Sequence, residues 1–385
     1  MTYAHRPIIH DADSHLMEGL DWMRDHADAK TRDLLPDLTR VLDKGGAGAQ
    51  TAIENGAARI HDPVKTAALE ENVIASAKGW LALGAMDTAE RSRALDLLGF
   101  TSQLVFSTFS VGLFAFSDDP DVVYGGARAH NRMMTAFCGD DDRLVSVGFL
   151  PLNDPQQSLR TLAEALDLGC GAVWVAHAPS SGRSPAHIDN DPVWAAVQDA
   201  GVPIVMHIGG GKNAISKPWH RNGRPRPVDL HGGGENLRAK DLPSVHHAAE
   251  TYLTSMVLDG VFERFPGLRC GVIEMGASWA PSLLGRLDYA AKSFSRTEPM
   301  LGELSLKPSD YLRRQVRFTP FPGEDVAEMM AISGPELYLF SSDYPHPEGT
   351  KDPIGRFERS FAERGTDAAA RQLFYEENYR SLVGS

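Results

Sequence analysis

The feature of this sequence that most constrains its fold is a series of eight short apolar segments, each followed by a stretch with helical character. The segments lie at residues 7–11, 102–107, 144–150, 171–176, 202–207, 268–274, 316–319 and 336–341. Continuous apolar runs without alternation are typical of parallel strands that helices cover. Eight strand–helix units in this order predict an α/β fold, a closed (β/α)8 TIM barrel that forms a single domain over residues 1–385.

Local signals support the helices between these segments. Asn153-Asp154-Pro155 and Asp191-Pro192 each combine an N-cap residue with a proline suited to the first helical turn. Residues 243–265 have an amphipathic helical pattern, and residues 367–382 are expected to form closing helices. A doubly wound open sheet is the structural alternative. Its dinucleotide-binding version has no support, because no Gly-x-Gly-x-x-Gly motif follows the first segment.

Two long stretches interrupt the repeat. Residues at about 18–95 form an insertion after the first strand, and residues at about 209–243 form a loop after the fifth, rich in glycine, proline, arginine and histidine. Long loops of this kind are often functional. Because both stretches follow strands, we expect them at the carboxyl-end face of the barrel, where the active sites of such barrels lie.

Composition excludes several classes of function. The formal net charge of −13 argues against a nucleic-acid partner, which needs a basic surface. The sequence contains no run of 18 or more apolar residues, so no membrane span is expected. The N-terminus lacks the apolar core of a signal peptide, and a cytoplasmic protein is therefore expected. Three separated cysteines, Cys138, Cys170 and Cys270, give neither a disulfide framework nor a cysteine-based zinc site. Cys170 and Cys270 lie in apolar, strand-like segments, which predicts buried thiols.

Side chains that can bind a metal ion cluster where the predicted strands end. The set is Asp13, His15, His177, His207, Glu274, Asp343 and His346. A closed barrel brings all its strand ends to one mouth. Mixed imidazole and carboxylate ligands suit Zn²⁺, Mn²⁺ or Fe²⁺, and seven candidates are enough for one or two ions.

The spacing of Asp13 and His15 supports a shared ion, because residues i and i+2 of an extended strand project to the same face. His207 and Asp343 would complete the site from across the barrel. Each residue alone is a weak signal: a histidine at a strand end is often a hydrogen-bonded core residue, and Asp343 could simply form a turn before Pro345. Their joint occurrence at several strand ends is what predicts a metal site.

Four segments, at residues 9–18, 202–207, 260–268 and 342–346, resemble the amidohydrolase-related branch of the amidohydrolase superfamily. This branch includes aminocarboxymuconate-semialdehyde decarboxylase and the resorcylate-type decarboxylases. The resemblance implies a metal-dependent barrel, commonly dimeric, with His207 as the strand-five ligand and Asp343 as the strand-eight ligand. It also shows departures: Asp13-x-His15 replaces the usual His-x-His, and Glu274 stands where many relatives have a histidine.

Two further departures concern catalysis. His177 ends strand four, where the plain decarboxylases are not expected to have histidine, and Glu250 lies near the position of an active-site histidine in decarboxylating relatives. His246 and His247 lie just before Glu250. A direct transfer of decarboxylase chemistry therefore needs support from the structure.

The leading hypothesis is a metal-dependent hydrolase or non-redox decarboxylase that acts on a small, anionic organic substrate. Asp343 would bind the ion and act as general base, and Glu274 or a nearby histidine, His247, would act as acid or orient a water. Basic residues of the 209–243 loop could bind the anionic substrate; these are Lys212, Arg221, Arg224 and Arg226.

Two alternatives remain open. The additional ligands His177, Glu274 and His346 allow a dinuclear Fe or Fe/Mn oxygenase, similar to isobutylamine N-hydroxylase, on the same scaffold. A catalytically silent scaffold is the other alternative, and the expected partner is then an active paralogue in a heterodimer rather than a second copy in a homodimer. A serine hydrolase has little support, because the sequence contains no Gly-x-Ser-x-Gly motif.

Overall fold

The structure is a computed structural model and describes residues 2–39, 48–211, 215, 217–225 and 239–384. Seven parallel strands form one sheet in chain order. They are β1 (His10–Leu16), β2 (Ser102–Ser107), β3 (Leu144–Phe149), β4 (Ala172–Trp174), β5 (Ile204–His207), β6 (Cys270–Ile273) and β7 (Val316–Phe318).

Residues 338–344, here called the closing segment, join the two edges of this sheet. On one side, the backbone N–H of Leu339 donates to the carbonyl of Phe318 in β7 at 2.9 Å. On the other side, the N–H of Ala12 in β1 donates to the carbonyl of Phe340 at 3.0 Å. The sheet therefore closes on itself, and the predicted α/β barrel is confirmed.

Two strand boundaries differ from the prediction. The first strand continues to Leu16 rather than ending at residue 11, and its register with β2 shifts between Asp11 and Ser14. The predicted eighth strand, 336–341, begins in a 3-10 turn, Pro335–Leu337, and pairs only through isolated bridges to its neighbours. The first difference places Asp13 and His15 inside β1 instead of after it.

Helices surround the strands. They are α1 (Trp22–Asp25), α2 (Gly48–Ile60), α3 (Pro63–Glu70), α4 (Thr88–Leu98), α5 (Val111–Phe114), α6 (Pro120–Cys138), α7 (Pro155–Asp167), α8 (Asp191–Ala200), α9 (His247–Leu258), α10 (Val261–Arg264), α11 (Ala280–Phe294), α12 (Pro308–Gln315), α13 (Val326–Ser333), α14 (Pro353–Arg364), α15 (Ala368–Gln372) and α16 (Asn378–Val383). Short 3-10 helices lie at Gly79–Leu81, Ile188–Asn190, Lys217–His220, Pro299–Glu303, Pro335–Leu337 and Pro347–Gly349, and a π-helical turn at Leu373–Glu377 joins α15 to α16.

Local sequence explains where several helices begin and end. The Asp154 carboxylate accepts a 2.8 Å hydrogen bond from the Gln157 N–H and caps α7, as its Asn-Asp-Pro sequence predicts. The stretch predicted to be helical, 243–265, forms two helices, α9 and α10. Gly260 lies between them with φ of 73°, a conformation that glycine adopts easily and that ends a helix.

The core and the long insertion position the carboxyl-end face. Cys170 and Cys270 are buried free thiols, as predicted, and Cys138 is buried as well. The insertion between β1 and β2 carries α1 to α4, and the indole N–H of Trp80 ties it to the carbonyl of Glu18 at 2.9 Å. Within the described ranges, no helix is both long enough and apolar enough to span a membrane.

Candidate metal centre

Six of the seven predicted metal ligands meet at the carboxyl-end face of the barrel. They are Asp13 and His15 in β1, His207 at the end of β5, Glu274 just after β6, and Asp343 and His346 in and just after the closing segment. All six are buried. They form two overlapping groups of four, and within each group the ligand atoms lie within 4.8 Å of one another.

The first group contains Asp13, His15, His207 and Glu274. Oδ1 of Asp13 lies 3.3 Å from Nε2 of His15 and 3.3 Å from Nε2 of His207. Oε2 of Glu274 lies 3.3 Å from the same nitrogen of His207 and 3.8 Å from that of His15. Two imidazole nitrogens and two carboxylates thus converge from three strands.

The second group shares His15 and Glu274 with the first and adds Asp343 and His346. Oδ1 of Asp343 lies 3.4 Å from Nε2 of His15 and 3.0 Å from Nδ1 of His346. The rings of His15 and His346 stack with their centroids 3.8 Å apart. This geometry places a second potential ion site directly beside the first.

Hydrogen bonds on the outer side of two rings determine which nitrogen faces the centre. Nδ1 of His207 lies 2.9 Å from the carbonyl of Ile208, so it donates there and leaves Nε2 as an acceptor towards the carboxylates. His346 is oriented by Thr108, whose hydroxyl lies 3.0 Å from Nε2 and donates to the carbonyl of Leu16. Thr108 was missed by the sequence analysis; its place immediately after β2 was the available signal.

The backbone at two of the carboxylates adopts an uncommon conformation. Glu274 has φ of 55° and Asp343 has φ of 53°, both in the left-handed region that residues other than glycine rarely adopt. The N–H of Glu274 donates to Oγ1 of Thr319 at 2.9 Å, and that of Asp343 donates to the carbonyl of Asp13 at 2.9 Å. Strained residues held by their surroundings in this way are concentrated at functional sites.

Burial and charge shift the pKa values of these groups in a way that favours a bound cation. Burial raises the pKa of Asp343 well above its usual value, and the negative charges of Asp13 and Glu348 raise it further. Burial opposes ionisation of Asp13 as well, but the neighbouring imidazoles, His207 foremost, hold its pKa below the usual value. Burial lowers the pKa of His346 to about 4, so its ring is neutral at pH 7.

These observations test whether a metal ion fits. Three buried carboxylates lie together with three buried imidazoles, and buried negative charge is costly unless a cation or protons compensate it. Nε2 of His15 and Oδ2 of Asp13 lack a hydrogen-bond partner among the described residues. A divalent cation would satisfy these atoms with the ligand types that Zn²⁺, Mn²⁺ and Fe²⁺ accept. The residues therefore fit such an ion.

An apolar wall lies behind the ligands. The ring of Phe106 lies 4.3 Å from that of His207, centroid to centroid, and the indole of Trp174 lies 5.1 Å from it. Both side chains are buried. Aromatic walls keep the local dielectric low, which strengthens every charge interaction in the site.

Asp11 holds the closing segment against β1. Its carboxylate accepts hydrogen bonds from the N–H of Ser342 at 2.8 Å, from the hydroxyl of Ser342 at 2.6 Å and from the amide of Gln103 at 2.7 Å. Burial raises the pKa of Asp11 to about 7 despite these bonds. Because Ser342 precedes Asp343, this contact fixes the position of a ligand.

The remaining candidate residues lie outside the two four-residue groups. His177 is buried near His207, but neither four-residue group includes it, and His247 is exposed in the first turn of α9 with its ring beside that of His246. Arg221 and Arg224 are exposed, whereas the predicted Lys212 and Arg226 lie outside the described residues. The roles proposed for these residues stay predictions.

Comparisons with known proteins agree with this architecture. The family model Amidohydro_2, described as amidohydrolase, matches residues 11–383. An amidohydrolase structure from Mycobacterium avium subsp. paratuberculosis aligns over 99% of this chain and 100% of its own, at 22% identity and a TM-score of 0.71. A 2,6-dihydroxybenzoate decarboxylase in complex with 2,6-dihydroxybenzoate aligns over 99% and 100%, at 15% identity and a TM-score of 0.64.

A third solved structure is 5-carboxyvanillate decarboxylase from Sphingomonas paucimobilis. It aligns over 98% of this chain and 99% of its own, at 18% identity and a TM-score of 0.61. At these identities the similarities establish the shared fold. A search of curated proteins returned no match.

Proposed function

Because this chain belongs to the amidohydrolase family, we propose that it is a metal-dependent enzyme that removes a carboxyl group from a small aromatic acid without a redox cofactor. The observation that carries the proposal is the convergence of Asp13, His15, His207 and Glu274 in one buried group. Metal-assisted hydrolysis at the same four residues is the alternative reaction, and the substrate assay described below distinguishes the two.

Similar structures support the choice of decarboxylation and of the metal. Two of the aligned proteins are described as decarboxylases of dihydroxybenzoic acids, and another as a decarboxylase of 5-carboxyvanillate. The dihydroxybenzoic acid decarboxylase from Polaromonas contains bound manganese together with the inhibitor 2-nitroresorcinol. Manganese accepts the same nitrogen and oxygen ligands that this site offers, so Mn²⁺ is the first ion to test.

The chain's own residues have distinct roles in this proposal. Asp13, His15 and His207 would hold the ion together with Glu274 or Asp343, and the bound ion would polarise a carboxylate or phenol oxygen of the substrate. Loss of CO₂ breaks the bond between the ring and the carboxyl carbon and leaves the electron pair on the ring carbon. A proton must then reach that carbon, and the buried Asp343 carboxyl is the group in the site best suited to carry it.

The direct test is a product assay with protein reconstituted with Mn²⁺. Hydroxybenzoic acids labelled with ¹³C at the carboxyl group are incubated with the enzyme, and labelled CO₂ is measured by mass spectrometry. The proposal expects labelled CO₂ only when metal is present. Hydrolysis of ester or amide substrates without any release of CO₂ from the acids would contradict decarboxylation and support the hydrolase.

A second candidate, a dinuclear Fe or Fe/Mn oxygenase, is favoured by one specific observation. Asp343 and His346 form a further ligand group with His15 and Glu274, beside the first. Two metal equivalents per chain and consumption of O₂ would support the oxygenase. The His346→Ala variant discriminates, since it should retain its metal content in a mononuclear enzyme and lose about one equivalent in a dinuclear one.

A further inference from the structure

A lysine that has no role in the proposed reaction lies beside the metal group, with its amine nitrogen buried. Lys78 is in the long insertion, immediately before the 3-10 helix Gly79–Leu81. Its Nζ is inaccessible to solvent and lies 5.2 Å from the centre of the Tyr344 ring. Among the residues that the structure describes, this amine makes no hydrogen bond and no ion pair.

The position of Lys78 is fixed by its neighbours on both sides of the site. The N–H of Gly79 donates to the carbonyl of Pro345 at 2.9 Å, which joins the insertion to the chain just after Asp343. One residue further on, the indole of Trp80 donates to the carbonyl of Glu18 at 2.9 Å. These two bonds hold the Lys78 backbone over the carboxyl-end face of the barrel.

Electrostatics indicates what the amine is suited to bind. Burial lowers the pKa of Lys78 to about 8, and the negative charge of Asp343 opposes that lowering. The amine is therefore mostly protonated at pH 7. A buried ammonium group without a hydrogen bond or an ion pair costs free energy, and an anion that enters the site would offset that cost. The flexible four-carbon stem lets the amine follow such an anion.

We propose that Lys78 binds the carboxylate of the substrate beside the metal group, and that the substrate is accordingly a small organic anion. This inference deepens the proposed function and rests on it for the identity of the site. Lys78 fits this role because its buried amine interacts with the charge of Asp343, whereas Arg221 and Arg224 of the loop after β5 are exposed.

The test compares benzoate with its neutral isostere benzamide, each titrated by NMR against the full-length protein with and without Mn²⁺. Lys78→Met should weaken benzoate binding by about 10-fold or more, since a hydrogen bond to a charged group is lost, and leave benzamide binding unchanged. Lys78→Arg keeps the charge and should retain most of the affinity. Lys65→Met, an exposed lysine in α3 of the same insertion, is the matched control.

Thermal unfolding of the same variants separates a binding role from a structural one. Removal of an unpaired buried charge should leave the Tm of Lys78→Met equal to or above that of the wild type. A markedly lower Tm, or equal benzoate affinity in the wild type and Lys78→Met, including no measurable binding by either, would overturn the proposal. Wild-type protein that binds benzoate through Lys78 but holds no metal would instead contradict the proposed function alone.

Discussion

Nε2 of His207 lies 3.3 Å from Oδ1 of Asp13, while Nδ1 of the same ring donates to the carbonyl of Ile208 at 2.9 Å. In the neutral ring, this arrangement directs a nitrogen lone pair at a carboxylate oxygen. Two acceptors at this distance need a positively charged species between them, either a proton or a metal cation. Oε2 of Glu274 at 3.3 Å adds a second carboxylate on the same nitrogen, which favours a cation of higher charge.

Metal binding should stabilise the fold. Because an ion binds the folded chain and not the unfolded one, Mn²⁺ at 100 times its Kd should contribute about 3 kcal/mol to the free energy of unfolding. Differential scanning fluorimetry of chelator-treated protein should show a Tm several degrees below that of the reconstituted protein. His207→Ala should show no such difference, and a full response of this variant to Mn²⁺ would place the ion elsewhere.

Asp343→Asn should reduce catalysis without unfolding the protein. The amide cannot deliver a proton to the ring carbon, so kcat should fall by about 10²-fold to 10⁴-fold. The measurement is labelled CO₂ release at saturating Mn²⁺, so that weaker metal binding does not account for the loss. Asp199→Asn, on the exposed surface of α8, serves as the control and should retain wild-type activity.

Asp11→Asn should destabilise the barrel where its two ends meet. The Asp11 carboxylate accepts one hydrogen bond from Gln103 and two from Ser342. In asparagine an NH₂ group replaces one of the accepting oxygens and would face these donors without bonding to them. We expect a loss of about 2–4 kcal/mol in the free energy of unfolding, measured in urea at pH 8. A loss no larger than that of Asp199→Asn would show that the contact adds little to closure of the barrel.

The buried His130 should make stability depend on pH. Its Nε2 lies 3.0 Å from Oγ of Ser107, and burial lowers its pKa from 6.5 to about 4. Between these values the unfolded chain binds the proton and the folded chain does not, so stability falls as the pH falls from 6.5 towards 4 and is unaffected above 6.5.

At pH 4 the loss attributable to His130 amounts to roughly 3 kcal/mol. The His130→Gln variant, which cannot take up the proton, should lose that much less stability than the wild type over the same range. The measurement is a series of urea unfolding curves at several pH values. Parallel pH profiles for the two proteins would contradict the assignment.

The parts of this structure that follow from strand periodicity and barrel topology could be predicted from the sequence. Alternation along a strand places Asp13 and His15 on one face, and closure of the sheet brings His207, Glu274 and Asp343 to the same mouth. The end of β1 could not be predicted from hydrophobicity, because Asp13, Ser14 and His15 in its second half are polar. The barrel buries them nevertheless.

Contacts between distant parts of the chain could not be predicted. Asp11 and Ser342 are 331 residues apart, and Thr108 and His346 are 238 residues apart, so no local pattern marks either pair. The position of the Lys78 amine could not be predicted from the sequence either, because it depends on how the insertion folds back over Tyr344. The same limit applies to His247, whose place at the exposed start of α9 depends on where that helix begins.

Quantification of bound metal shows whether the buried group around His207 holds an ion. Wild-type protein purified without a metal-affinity tag should contain at least about one transition-metal ion per chain by plasma mass spectrometry. His207→Ala should lose most of it, because removal of one ligand weakens binding more than about 10-fold, whereas His247→Ala should retain it. Equal metal content in the wild type and His207→Ala, or metal-free wild type after reconstitution, would show that this group does not bind a metal ion.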